Sequence, residues 1–209
     1  TISVDTTDDD VAGFTIVELD GSTEVDESGT TDTFTVVLDA QPSDNVVIAM
    51  SSSDIGEATI SGTISFTPAN WDTPQTVTVT GVDENTIDGD QTSTITITIV
   101  DSISDSDFSN VADQTVLVVT TDDDVAGFTI VELDGATEVD ESGTTDTFTV
   151  VLDAQPTSDV VLTVTSDDTS EATVNSSLTF TSANWDTPQT VTVTGVDDSI
   201  IDGTITSTI

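Results

Sequence analysis

Thr76-Val77-Thr78-Val79-Thr80 and Thr94-Ile95-Thr96-Ile97-Thr98-Ile99 are the stretches that decide the fold. In both, a β-branched apolar residue alternates with threonine at a strict period of two. That period puts one set of side chains on each face of a strand, one set buried and the other toward water. Thr33-Phe34-Thr35-Val36-Val37-Leu38 follows the same rule. No stretch keeps a helical period over ten residues, and no apolar run approaches the roughly 20 residues of a membrane span. The chain opens with no signal-peptide pattern. The expectation is an all-β protein.

Composition narrows what such a protein can do. The 209 residues include 41 acidic side chains and no Lys, Arg, His, Cys or Tyr, for a formal charge of −41. With no cationic groove to neutralise phosphates, nucleic-acid binding is not expected, nor is docking on, or insertion into, an anionic membrane. The usual bases and nucleophiles are absent, so only carboxylates and hydroxyls remain for chemistry. Disulfides and thiolate–zinc sites are impossible. No side-chain ion pair can form. Every buried carboxylate therefore needs water, a backbone donor or a metal ion. Low hydrophobicity with high charge is also the mark of disorder, but the strict alternation argues for folded strands.

The alternating segments recur. Thr-Asp-Asp-Asp-Val-Ala-Gly-Phe begins at Thr7 and at Thr121, and Asn-Trp-Asp-Thr-Pro-Gln begins at Asn70 and at Asn184, both at an offset of 114. Residues 1–95 align with 115–209 without a gap, at 69 identities in 95 positions. A unit of that length matches one β-sandwich rather than a propeller blade or a solenoid turn. The expected organisation is the last strand and linker of a preceding repeat (1–10), a complete repeat with an Asp-rich linker (11–124), and a second repeat (125–209) that stops before its last strand. Within the first repeat the pattern predicts seven antiparallel strands, 11–19, 33–39, 45–51, 57–66 with a break, 75–81, 92–100 and 114–120. Turn residues such as Gly29, Pro42, Pro74 and Gly89 separate them. The predicted core is Phe14, Phe34, Val36, Leu38, Val47, Phe66, Val77, Val79, Ile95, Ile97 and Val116.

If each of the seven strands reverses direction, the loops sort onto two poles, and the acids sort unevenly. Asp20, Glu24, Asp26, Glu27, Asp54, Glu57, Asp83, Glu84, Asp88, Asp90 and Asp122–Asp124 fall at one pole. Asp39, Asp44, Asp72, Asp101, Asp105, Asp107 and Asp113 fall at the other. Two carboxylates about 6 Å apart repel by roughly 3 kcal/mol at an effective dielectric near 20. Either their pKa values rise or a cation enters. Calcium takes six to eight hard oxygen donors, whereas magnesium keeps its waters in a tight octahedron, so a crowded acidic pole favours calcium. Scattered acids such as Asp32 and Asp113 read instead as a solvated surface. Trp71 and Trp185 read as plugs at a sandwich corner rather than as sugar-stacking platforms.

Several of these residues resemble a known family. Asp122-Asp123-Asp124-Val125-Ala126-Gly127-Phe128-Thr129 is similar to the linker joining tandem Calx-beta domains. Val25-Asp26-Glu27-Ser28-Gly29-Thr30 is similar to that family's early acidic motif. Thr78-Val79-Thr80-Gly81-Val82-Asp83-Glu84 is similar to its fifth strand and following acidic loop. The resemblance implies tandem Ig-like, Greek-key antiparallel sandwiches that bind calcium through Glu27, Asp83, Glu84, Asp88 and Asp122, Asp123 and Asp124. Asp54, Glu57 and Asp90 join that pole, and Asp8, Asp9 and Asp10 repeat the linker triplet. In the second repeat the matching positions are Glu141, Asp197, Asp198 and Asp202, with Thr204 standing where the first repeat has Asp90.

The near-identical copies and the Thr/Val/Asp bias also resemble extender regions of large RTX-type bacterial adhesins. No G-G-x-G-x-D nonapeptide occurs. The expected role is therefore non-enzymatic: secreted or cell-surface spacer repeats whose linkers calcium stiffens, with neighbouring repeats as partners. A calcium-sensing regulatory module is the second reading. A glycan-binding module is the third, and it would need an aromatic-rimmed groove.

Overall fold

The computed structural model describes residues 1–209 apart from Asp134, Ser176 and Asp202. The chain divides into two compact units, Thr1–Glu84 with Asp88–Asp123, and Asn85–Ile87 with Asp124–Ile209. The described residues are strands and loops, with two three-residue 3-10 turns at Asp101–Ile103 and Ser106–Phe108. No helix is long and apolar enough to cross a membrane.

The first unit is a sandwich of two sheets. One contains β1 (Phe14–Glu18), β3 (Thr31–Leu38), β7 (Gln75–Gly81) and β5 (Ala58–Ile60), in the order β1-β3-β7-β5. The other has the order β2-β9-β8-β4-β6, formed by β2 (Thr23–Asp26), β4 (Val46–Ser52), β6 (Thr63–Phe66), β8 (Gln91–Ile99) and β9 (Gln114–Thr121). Period-two alternation fixes which face is buried. In β8, Ser93, Ile95, Ile97 and Ile99 point inward and the intervening threonines do not. Phe34, Val36, Phe66, Val77, Val79, Ile95, Ile97 and Val118 are fully buried in one cluster, with Trp71 packed against it. Each such side chain contributes roughly 1.5–3 kcal/mol on leaving water.

Three details differ from the reading of the sequence. Val47 is not in the core; Val46 and Ile48 are, and Val47 is half-buried. Five consecutive apolar residues, from Val46 to Met50, leave the phase of a strand open, and the pairing of Ile48 with Ile99 sets it. The strand expected at 57–66 is two strands in different sheets, β5 against β7 and β6 against β4. A short strand, β2, has no counterpart in the sequence pattern, and it pairs with β9 in parallel while the other ladders are antiparallel.

The second unit repeats one sheet in the same order, with β10 (Phe128–Glu132), β11 (Thr145–Leu152), β15 (Gln189–Gly195) and β13 (Ala172–Val174) arranged β10-β11-β15-β13. Among the described residues, the two-stranded sheet of β12 (Val160–Thr163) and β14 (Ser177–Phe180) lies against it. Phe148, Val150, Leu152, Phe180, Val191 and Val193 form its core, with Trp185 packed against it. Phe128 is 51% exposed, whereas its counterpart Phe14 is 3% exposed.

Candidate metal centre

The centre grows from three loops and one strand exit of the first unit. β2 ends at Asp26, whose carboxylate accepts from the Ser28 amide (2.9 Å) while its carbonyl accepts from the Gly29 amide (3.1 Å). Gly29 has φ +87°, a left-handed conformation that glycine adopts without steric cost. The turn therefore closes tightly just after Glu27. Gly81, at the end of β7, packs directly on it: a Cβ at that position would collide with the Asp26 carbonyl. The Glu27 amide donates to the Thr121 carbonyl at the end of β9 (3.2 Å). These contacts hold the Glu27 side chain inward.

Glu27 is 0% exposed, and neither carboxylate oxygen has a hydrogen-bond partner. One oxygen from each of Glu27, Glu84 and Asp88 lies within 4.8 Å of the others, and Asp122 brings an oxygen equally close to Glu27. Asp122 is held there from the β7–β8 loop, accepting from the Gly89 amide (2.8 Å) and donating its own amide to Asp90 Oδ1 (3.3 Å). Glu57 enters from the loop before β5; its carbonyl accepts from the Val82 amide (2.9 Å), and its carboxylate Oε2 is buried without a hydrogen-bond partner.

The electrostatics follow from this crowding. Desolvation and, after it, the charges of Asp122, Glu57, Glu84 and Asp88 push the Glu27 carboxyl up to about 7. Glu57 is pushed up as well, by burial first and then by Asp88, Asp54, Glu84 and Asp122. Burial and like charge both favour the neutral acid, and an oxygen-seeking cation would relieve both.

The structure thus brings together Glu27, Glu57, Glu84, Asp88 and Asp122, with Asp54 close enough to act on Glu57. Asp54 is exposed and accepts from the Gly56 amide (2.9 Å), Asp90 is an exposed acceptor for the Asp122 amide, and Asp83 is exposed. Asp123 is the last residue of the first unit and Asp124 belongs to the second. Asp8, Asp9 and Asp10 lie in an exposed segment outside any strand, where Asp8 accepts from the Asp10 amide. In the second unit Glu141 and Asp197 are exposed and Asp198 accepts from the Ile200 amide; Asp202 lies outside the described residues. No further carboxylate group of this kind occurs among the described residues of the second unit.

The hard oxygen donors, the absence of any cationic side chain and the two orphaned Glu27 oxygens fit a calcium ion held by Glu27, Glu57, Glu84, Asp88 and Asp122.

Neither a family model nor a curated protein matches the chain. Among solved structures, the apo form of the Calx CBD1 domain is similar at 17% identity, covering 55% of this chain and all of that one, with a TM-score of 0.40. The calcium binding domain CBD12 of CALX1.1 is similar at 16% identity over 90% of this chain and 76% of that one (TM-score 0.39). Domains 4–9 of the surface layer protein SbsC are similar at 20% identity over 88% of this chain and 27% of that one (TM-score 0.33).

At the opposite end of the first unit the structure reveals a role the sequence did not signal. Asp105 is 5% exposed and accepts from the Ser43 amide and hydroxyl (2.6 and 2.9 Å), the Asp44 amide (2.9 Å) and the Asp107 amide (3.0 Å). The Asp107 amide bond first, then those from residues 44 and 43, hold its carboxyl down at about 2. Its one local cue is the spacing Asp105-Ser106-Asp107, which suits a side chain capping a short turn.

Proposed function

We propose that the chain is a pair of non-catalytic spacer repeats of a long extracellular bacterial adhesin, in which calcium bound at the acidic pole stiffens the passage from one repeat to the next. The observation that carries this reading is Glu27: a fully buried carboxylate with no partner, ringed by other carboxylates, in a chain that has no cationic side chain of its own. Without metal, like charges at the pole repel and the loops that carry them spread. Bound calcium would neutralise them, drawing Glu84, Asp88 and Asp122 onto Glu27 and Glu57. Glu84 and Asp88 bracket Asn85–Ile87, residues that belong with the second unit, and Asp122 precedes the crossing into it. Fixing those positions limits the freedom of the chain between repeats.

The tandem identity of the copies supports a spacer, because a length-setting element gains from repetition and needs no diversification. Because metal binds the folded form alone, it also stabilises the fold by mass action. Affinity of about 10⁻⁴–10⁻³ M suffices for an extracellular module. Small-angle scattering and calorimetry on the whole chain, in chelator and then in calcium, test the reading. The expected result is a narrower spread of maximum dimension and a higher melting temperature in calcium. No change in either quantity overturns it.

A further inference from the structure

Aspartate followed by glycine occurs four times in the chain, at Asp20, Asp88, Asp134 and Asp202. In this dipeptide the glycine nitrogen can attack the preceding carboxyl carbon, because glycine has no side chain to block the five-membered ring. Asp134 and Asp202 lie outside the described residues. The other two pairs sit in exposed loops with glycine in the left-handed region, at φ +86° for Gly21 and +76° for Gly89. A Cβ on either glycine would meet nothing within 4 Å, so each loop has room to close a ring.

The two loops differ in the partner of the glycine amide. The Gly21 amide points to the Glu18 carbonyl at 3.4 Å, a backbone oxygen that does not take up protons. The Gly89 amide donates to Asp122 Oδ2 at 2.8 Å, a carboxylate that can. Asp88 is tied down by its own carbonyl, which accepts from Gln91 Nε2 (3.2 Å), and its carboxylate lies beside Glu27 and Glu84. A nucleophilic nitrogen, the carboxyl carbon it attacks and a proton acceptor within hydrogen-bond reach are thus assembled at one place.

We propose that Asp88-Gly89 is a self-modification site, where Asp88 converts to isoaspartate in the metal-free chain and a bound divalent cation prevents the conversion. The Gly89 nitrogen bonds to Asp88 Cγ while Asp122 takes the nitrogen's proton. Asp88, in its acid form, gives up its hydroxyl, which leaves as water with the proton that Asp122 hands on. Water then opens the ring at the Asp88 main-chain carbonyl, so the chain runs on through Cγ and the former carbonyl carbon becomes the free carboxylate. The sum is an isomer of unchanged mass, with no other reactant required. One methylene moves from the side chain into the main chain, and the carboxylate leaves the position from which it faces Glu27. Protection by metal rests on the calcium reading above: a cation holding oxygens of Asp88 and Asp122 occupies the electrophile and the proton acceptor together.

Glu-specific cleavage separates the two pairs, with Asp20 in residues 19–24 and Asp88 in residues 85–132. The full chain is incubated with calcium or with chelator, cleaved, and assayed for isoaspartate in each fragment by electron-transfer fragmentation. Calorimetric titration measures calcium binding on the same samples. In chelator, isoaspartate should gather several-fold faster at position 88 than at position 20. In calcium the rate at 88 should fall several-fold while the rate at 20 stays the same, and chain aged in chelator should lose calcium capacity in proportion to its isoaspartate at 88. Asp122→Asn keeps an acceptor for the Gly89 amide but removes the base, and should abolish the excess over position 20. Glu27→Gln leaves Gly89 and Asp122 in place, and should keep the excess in chelator while losing the protection by calcium. A rate at 88 no greater than at 20 in chelator overturns the proposal, as does an excess that survives Asp122→Asn. If calcium binds by titration yet leaves the rate at 88 unchanged, protection by metal is wrong and the calcium reading stands. If titration shows no binding, the calcium reading fails, and the chelator comparison alone decides the modification.

Discussion

Asp105 and Glu27 are both buried carboxylates of the same unit, one at each end of the sandwich, and their surroundings are opposite. Asp105 collects three backbone amides and a hydroxyl and stays ionised down to about pH 2. Glu27 collects no donor, faces four other carboxylates and holds its proton up to about pH 7. In a chain without Lys, Arg or His, these are the two ways to bury a negative charge. One is to surround it with the chain's own donors; the other is to let a cation from solution match it. The first end is self-sufficient, and the second is conditional.

The comparison can be broken at either end. Asp105→Ala strips the acceptor from three amides that hold the 43–45 and 105–107 turns together, and should cost about 3 kcal/mol in calorimetry. That loss should be the same with calcium and with chelator. At the other end, calcium at a hundred times its dissociation constant should add about 2.7 kcal/mol to the wild-type first unit. Glu27→Gln should lose that gain while being no less stable than wild type in chelator, because it removes a repelled charge. If Glu27→Gln is as destabilising as Asp105→Ala without metal, the two ends are alike and the contrast is wrong.

Gly81→Ala probes how the conditional end is built. Its Cβ would meet the Asp26 carbonyl, so the turn carrying Glu27 must move, at about 2 kcal/mol. Calcium titration should show weakened binding in this variant and unchanged binding in Asp105→Ala.

The smallest effect is the pH dependence. Glu27 has a folded pKa raised from 4.5 to about 7, so the folded state keeps a proton that the unfolded chain has lost. In chelator its contribution is best below pH 4.5 and declines as pH rises to 7; calcium or Glu27→Gln should flatten that decline. Asp105 runs the other way. Its folded pKa lies below the ordinary 3.8, so its contribution is complete above that value and is lost as pH falls toward 2. Melting temperature against pH for the wild type and the two variants separates the slopes.

Much of this was legible in the chain, for identifiable reasons. Threonine–valine alternation is a local signal, and it marks the sheets and most of the core. It fails at Val46-Val47-Ile48, where no polar residue marks the phase. It also misses β2, a four-residue strand whose partner lies nearly a hundred residues away. The acidic pole was legible because loop order alone groups Glu27, Glu57, Glu84, Asp88 and Asp122. The burial of Glu27 was not, since it depends on Gly81 meeting the Asp26 backbone from another strand.

The parallel pairing of β2 with β9 has a mechanical consequence. β2 lies near the start of the unit and β9 is its final strand, joined from Thr23–Val118 to Asp26–Thr121. A pull applied to the two ends of the unit would draw these strands past each other along their length. Their hydrogen bonds would then be loaded together, in shear, instead of unzipping one at a time. Glu27 stands at the far end of that ladder, so a cation seated there would act as a rivet on the strand pair that bears the tension.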